Sequence, residues 1–177
     1  MDTLSFRPLE AHDLPMMQAW LQRSHVAAWW GAPSTLEEVE AEYLPTIDGR
    51  SSTKAYIVSI NGQAVGFIQA YVVLGSGDGW WEDESDPGAR GIDQFLADAA
   101  LLNRGLGTTM VAAFVERLFE DPCVTRIQTD PSPTNGRAIR CYSKVGFQKV
   151  GEVATPDGPA MLMLYERPDL GPHLVGA

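Results

Sequence analysis

The feature that most restricts the fold is a tight turn between two long apolar arms: KAYIVSI (54–60), Asn61-Gly62, then QAVGFIQAYVVL (63–74). Asn-Gly takes the positive φ angles of a two-residue turn at little cost, so the arms read as an antiparallel hairpin and the fold must contain a sheet. Further strands are read at LSFRPL (4–9), RGIDQFLA (90–97) and VTRIQTD (124–130). A closing pair is read at KVGEVAT (149–155) and AMLMLYE (160–166), about the turn Pro156-Asp157-Gly158-Pro159. Helices alternate with these strands. Asp13 and Pro15 suit the cap and first turn of a helix ending at Leu21. Ser34 and Glu37 stand at capping-box spacing ahead of a helix from Thr35 to Leu44, whose Glu37, Glu38, Glu40 and Glu42 read most simply as a solvated face. GTTMVAAFVERLF (107–119) has a helical apolar period, and PTNGRAIRCYSKVGF (133–147) reads as a helix running into a strand. With no repeat or linker in 177 residues, the expectation is one α/β (α+β) domain over 1–167, a mixed, mostly antiparallel sheet flanked by helices. A frayed tail is expected over 168–177, which holds Gly171, Pro172 and Gly176.

Chemistry first shows at LLNRGLGTTMV (101–111), where a strand gives way to a glycine loop and then an apolar helix. Glycines let the backbone approach an oxygen-rich group, the helix start offers unpaired N–H donors, and Arg104 adds positive charge. Arg104, Gly105, Gly107, Thr108 and Thr109 are therefore candidates for a pyrophosphate cradle, with a plain strand-to-helix turn as the alternative. The loop lacks the lysine of a P-loop, and its mid-chain place does not suit a dinucleotide fold.

A second stretch, GDGWWEDESD (77–86), sets Trp80 and Trp81 among Asp78, Glu82, Asp83, Glu84 and Asp86 without a base. It is either a solvated turn with two core rings or a wall for a cationic, ring-shaped ligand. The whole-chain charge favours cationic partners. Twenty-three acids against 13 bases give a formal charge of -10, which repels nucleic acid and anionic membranes. No stretch reaches the ~18 apolar residues of a membrane span, and Met1-Asp2-Thr3 does not open like a signal peptide, so a cytoplasmic location is expected. Cys123 and Cys141 read as two buried thiols, and His12, His25 and His173 are too scattered for a metal site, so no metal is expected.

About thirty residues after the glycine loop, Asn135, Ala138, Tyr142, Gly146 and Phe147 follow the spacing N-x-x-A-x-x-x-Y-x-x-x-G-F. This pattern resembles the GNAT N-acetyltransferase superfamily, in which a glycine loop binds acetyl-coenzyme A and the later helix brings a tyrosine to its sulfur. Leu102 stands where the family usually has Gln or Arg, so that contact falls to the backbone or to Arg104. At finer grain RSHVAAWWG, YLPTI, LGSGDGWWEDESDPGARGIDQFLA, IQTDPSPTNGRAIRCY and TPDGPA are similar to the aminoglycoside 6'-N-acetyltransferases, nearly end to end. The resemblance implies acetylation of the drug's 6'-amine in a ternary complex, with Asp93 as base and Tyr142 at the departing thiolate. It implies Asn135 among the coenzyme residues, and Tyr43, Gln69, Asp78, Trp80, Trp81, Asp130 and Asp157 around the aminoglycoside. Through Leu96 it implies acceptance of amikacin, kanamycin and tobramycin. A monomer or weak homodimer is expected.

Overall fold

The computed structural model describes residues 2–31 and 35–168. Among these residues seven strands form one sheet: β1 (Leu4–Pro8), β2 (Lys54–Ile60), β3 (Gln63–Val72), β4 (Ala89–Leu96), β5 (Arg126–Thr129), β6 (Gln148–Thr155) and β7 (Gly158–Glu166). Their order across the sheet is β1-β2-β3-β4-β5-β7-β6. Every pairing is antiparallel except β4 with β5. The β2–β3 turn is the expected one, with φ of 52° at Asn61 and 81° at Gly62.

Among the described residues five α-helices cover the sheet: α1 (Leu14–Leu21), α2 (Ser24–Trp30), α3 (Leu36–Ile47), α4 (Leu106–Phe119) and α5 (Gly136–Val145). Strand side chains alternate between faces, and the core divides accordingly. Ile57, Phe67 and Phe95 pack with Leu14, Met17, Val26 and Val39 from α1–α3. Val58, Ile68, Ile92 and Leu96 pack with Met110, Val111, Phe114 and Ile139 from α4 and α5. The central strands are mostly apolar because both faces are covered, with Gln69 of β3 and Asp93 and Gln94 of β4 among the exceptions.

Local details differ from the sequence reading. Asp13 does not cap α1; its buried carboxylate takes two hydrogen bonds from Arg7, at 2.8 and 2.9 Å, and one from the Glu10 N–H. Ser34 lies outside the described residues, and the capping box of α3 is Thr35 with Glu38. That helix also runs three residues past Leu44, through Pro45. The short helix α2 was not expected. Cys141 is half-buried, but Cys123 is exposed rather than buried, because it sits in the turn after α4 where Asp121 accepts its N–H. Among the described residues no helix is long and apolar enough to cross a membrane. The expected tail falls mostly outside the described residues.

Candidate functional site

The site begins with a break in the sheet. β4 and β5 pair only from Ala89↔Arg126 to Gly91↔Gln128, while β4 runs on to Leu96. From Ile92 onward its edge toward β5 therefore has no strand partner among the described residues, and the two strands part around an opening. His25 reaches this edge and hydrogen-bonds the Leu96 carbonyl oxygen at 2.9 Å.

Two clefts of opposite charge meet at the opening. The larger, about 630 Å³, is lined by Glu42, Asp93, Asp130 and Asp157 together with Gln69, Tyr71, Trp80, Trp81, Thr129 and Tyr142. Among its described lining residues there is no Lys, Arg or His. The smaller, about 250 Å³, is lined by Gly105, Gly107, Thr108, Arg137, Arg140 and Lys144, with no carboxylate among its described lining residues. Trp29, Trp30, Gln94, Asn135 and Ala138 belong to both walls.

The acidic cleft is built for desolvated charge. Asp93 sits on β4 directly across from Gln69 of β3, whose amide donates to it at 3.1 Å. Burial pushes the Asp93 pKa up, and the Gln69 hydrogen bond only partly offsets this. Burial, then Asp93, then Asp157 push Asp130 up to about 7. Burial also raises the Tyr142 phenol, although Thr129 and Gln94 hydrogen-bond it. Tyr142 packs at 5.4 Å on Phe147, so it is both core aromatic and cleft wall.

The tryptophan loop is both a turn and a wall. Trp80 and Trp81 lie 5.8 Å apart at 47° and both line the acidic cleft. Trp81 Nε1 donates to the Tyr71 hydroxyl at 3.3 Å. Two of the neighbouring acids tie the loop down. Glu84 pairs with Arg126 at the start of β5, and Asp86 accepts from Thr125 and from the Gly88 N–H.

The basic cleft lies at the start of α4. Gly105 takes φ of 82° and leaves open space where a side chain would stand, so backbone N–H groups there are approachable. Arg137, Arg140 and Lys144 recur at i, i+3 and i+7 on α5, a spacing visible in the sequence. A cleft of this charge and backbone exposure fits the pyrophosphate and phosphate groups of a coenzyme A thioester.

The structure gathers Gln69, Trp80, Trp81, Asp93, Asp130, Asn135, Tyr142 and Asp157 at the acidic cleft, and Gly105, Gly107, Thr108 and Asn135 at the basic one. Asp78 and Arg104 are exposed and belong to neither wall. Thr109 is likewise outside both, its hydroxyl bonded to the Gly105 carbonyl at 3.2 Å. Tyr43 is buried on Phe67, with its hydroxyl on Glu42. Sequence reasoning missed Glu42, Tyr71, Gln94 and the three α5 cations.

Comparison with known proteins agrees with this arrangement. Residues 10–155 match the acetyltransferase (GNAT) domain family. The chain is 55% identical over 169 residues to the aminoglycoside N(6')-acetyltransferase type 1 of Klebsiella pneumoniae, covering 94% of this chain and 84% of that protein. It is 65% identical over 88 residues to a kanamycin resistance protein of Rhizobium radiobacter, covering 50% of this chain and 82% of that protein. The crystal structure of aminoglycoside acetyltransferase AAC(6')-Ib in complex with coenzyme A and kanamycin superposes with a TM-score of 0.89 at 55% identity, covering 93% of this chain and 95% of that one. The chain matches these relatives over nearly its full length, and it belongs to the GNAT acetyltransferases, among the aminoglycoside N(6')-acetyltransferases.

Proposed function

We propose that this protein transfers the acetyl group of acetyl-coenzyme A to the 6'-amine of aminoglycoside antibiotics within a ternary complex, and so confers resistance. The observation that carries the reading is the pair of abutting clefts of opposite charge, one suited to a polyanion and one to a polycation. Gly105, Gly107, Thr108, Arg137, Arg140 and Lys144 would hold the coenzyme, whose thioester supplies the acetyl group when bound. Asp130, Asp157, Trp80 and Trp81 would hold the aminoglycoside, the carboxylates pairing with ammonium groups and the rings covering sugar faces. The enzyme would act in the cytoplasm, where acetyl-coenzyme A is made, as a monomer or weak homodimer, on kanamycin, tobramycin and amikacin.

An ammonium has no lone pair, so the 6'-nitrogen must lose a proton before it attacks. Asp93 takes that proton, directly or through one water; its raised pKa brings its basicity closer to the task. The unpaired edge of β4 offers backbone N–H groups to the carbonyl oxygen as negative charge develops there. Tyr142, kept protonated by burial, gives a hydrogen bond or a proton to the departing sulfur.

The test is a thiol-release assay of the purified protein with and without kanamycin, with the product's acetylation site assigned by NMR. Release that requires kanamycin, with acetyl on the 6'-nitrogen, is expected. Release with simple polyamines but not kanamycin would favour another amine substrate, and drug binding without release would leave a sequestering protein. Asp93→Asn should cut turnover at neutral pH by about 10²-fold, with recovery at high pH, while coenzyme binding persists.

A further inference from the structure

Resting on the acetyl-transfer reading above, we infer that Glu42 is a substrate-binding residue: with Ser51, Ser52 and Thr53 it receives the substituents of the ring that carries the reacting amine, and it favours an ammonium over a hydroxyl there.

The glutamates of α3 read as one solvated face, but the fold separates them. Glu42 stands on a helix flank open to solvent, yet it is the one of the four that lines the acidic cleft. Its neighbour Tyr43 is 2% exposed and packed edge-on against Phe67 at 5.6 Å, so its hydroxyl is a fixed point. That hydroxyl hydrogen-bonds the Glu42 carboxylate. The phenol is raised by burial, then by the charges of Glu42 and Asp93, so it stays protonated. Burial also pushes the Glu42 pKa up. A carboxylate at the cleft's rim, partly shielded from water, steadied by a phenol and with no cation among the cleft's described lining residues, suits a positive charge brought by the substrate.

Position across the sheet says which part of the substrate Glu42 meets. Ser51, Ser52 and Thr53 lead into β2, and Tyr43 anchors α3 over β3. Asp130 follows β5, and Asp157 is in the turn between β6 and β7. The strand order places Asp93 of β4 between these two flanks. Strands lie about 4.8 Å apart, so β2 to β7 spans on the order of 19 Å, enough for two or three sugar-sized rings. In an aminoglycoside the other rings hang from the 1'-carbon of the reacting ring. They extend to one side of the 6'-amine, and the flank with Asp130 and Asp157 suits that polyamine portion. The opposite flank, with one carboxylate and three hydroxyls, is left for the 2', 3' and 4' substituents.

Kanamycin A and kanamycin B differ at the 2'-carbon, with a hydroxyl in A and an amine in B, so the pair isolates the interaction. Calorimetric titration should show Glu42→Gln weakening kanamycin B by about tenfold and kanamycin A by less than about threefold, the scale of one charge-assisted hydrogen bond. Glu42→Asp should recover part of the kanamycin B affinity, and the melting temperature of both variants should match that of the wild type. Equal losses for the two drugs, or none, would overturn the assignment. Turnover measured alongside separates the two readings. Wild-type protein that binds both drugs but acetylates neither refutes the acetyl-transfer reading, and the binding comparison still decides for or against Glu42. Wild-type protein that binds neither drug overturns both.

Discussion

Asp93, Asp130 and Asp157 face one cleft with no cation among its described lining residues, and burial, then the charges of Asp93 and Asp157, push the Asp130 pKa up to about 7. The consequence for stability has a definite sign. Asp130 holds its proton in the folded protein up to about pH 7, whereas the unfolded chain loses it near its ordinary 3.8. Its contribution is therefore fully present below about pH 4 and is lost as pH rises through about 7. Asp130→Asn should match the wild type in melting temperature at pH 4 and exceed it progressively up to pH 8. Saturating kanamycin should abolish the difference by supplying the missing cation. A variant no more stable than wild type at pH 8 would show that the carboxylate is not desolvated. Asp93 and Asp130 were legible because they stand in stretches that carry the family resemblance. Glu42 was not, since the spacing of four glutamates on one helix does not tell which of them overhangs a cleft formed by other strands.

At the scale of elements, α5 divides its labour by face. Ile139 and Tyr142 are buried against the sheet, while Arg137, Arg140 and Lys144 line the basic cleft. The single helix thus contributes the phenol at one cleft and the positive charge at the other. Arg137→Ala, Arg140→Ala and Lys144→Ala should each raise the Michaelis constant for acetyl-coenzyme A by roughly threefold or more, a modest figure because exposed charges are screened. Kanamycin's constant should not move. Steady-state kinetics with each substrate varied in turn checks this, and an effect on kanamycin alone would refute it. Turn chemistry at Asn61-Gly62 and Pro156-Asp157-Gly158-Pro159 found both hairpins, and sequence periodicity found α4 and α5 because their patterns are long. It missed α2, which spans seven residues, has no side-chain cap and buries only Val26. The parting of β4 from β5 was also invisible, since a strand's own residues do not record where its neighbour stops.

For the molecule as a whole, an overall charge of -10 coexists with a basic cleft that must admit a polyanion. The same field that draws an aminoglycoside in opposes the coenzyme, and added salt should affect the two partners differently. Screening acts over about 8 to 10 Å at physiological ionic strength, so several exposed ammonium–carboxylate pairs weaken together. Kanamycin affinity should fall steadily with sodium chloride, while coenzyme A affinity should fall less. Mutation should then divide the drug's binding into two parts. Trp81→Ala removes a ring face and should raise the Michaelis constant of kanamycin with the salt slope unchanged. Asp157→Asn, in the exposed β6–β7 turn, removes a charge and should flatten that slope. The tethers from Glu84 to Arg126 and from Asp86 to Thr125 bear on the same point, because they make those two loop acids structural rather than attractive. The slope should therefore respond to the cleft carboxylates and hardly at all to Glu84→Gln. If kanamycin affinity proves indifferent to salt and to Asp157, the acidic cleft does not recognise polycations, and the substrate reading built on its charge fails.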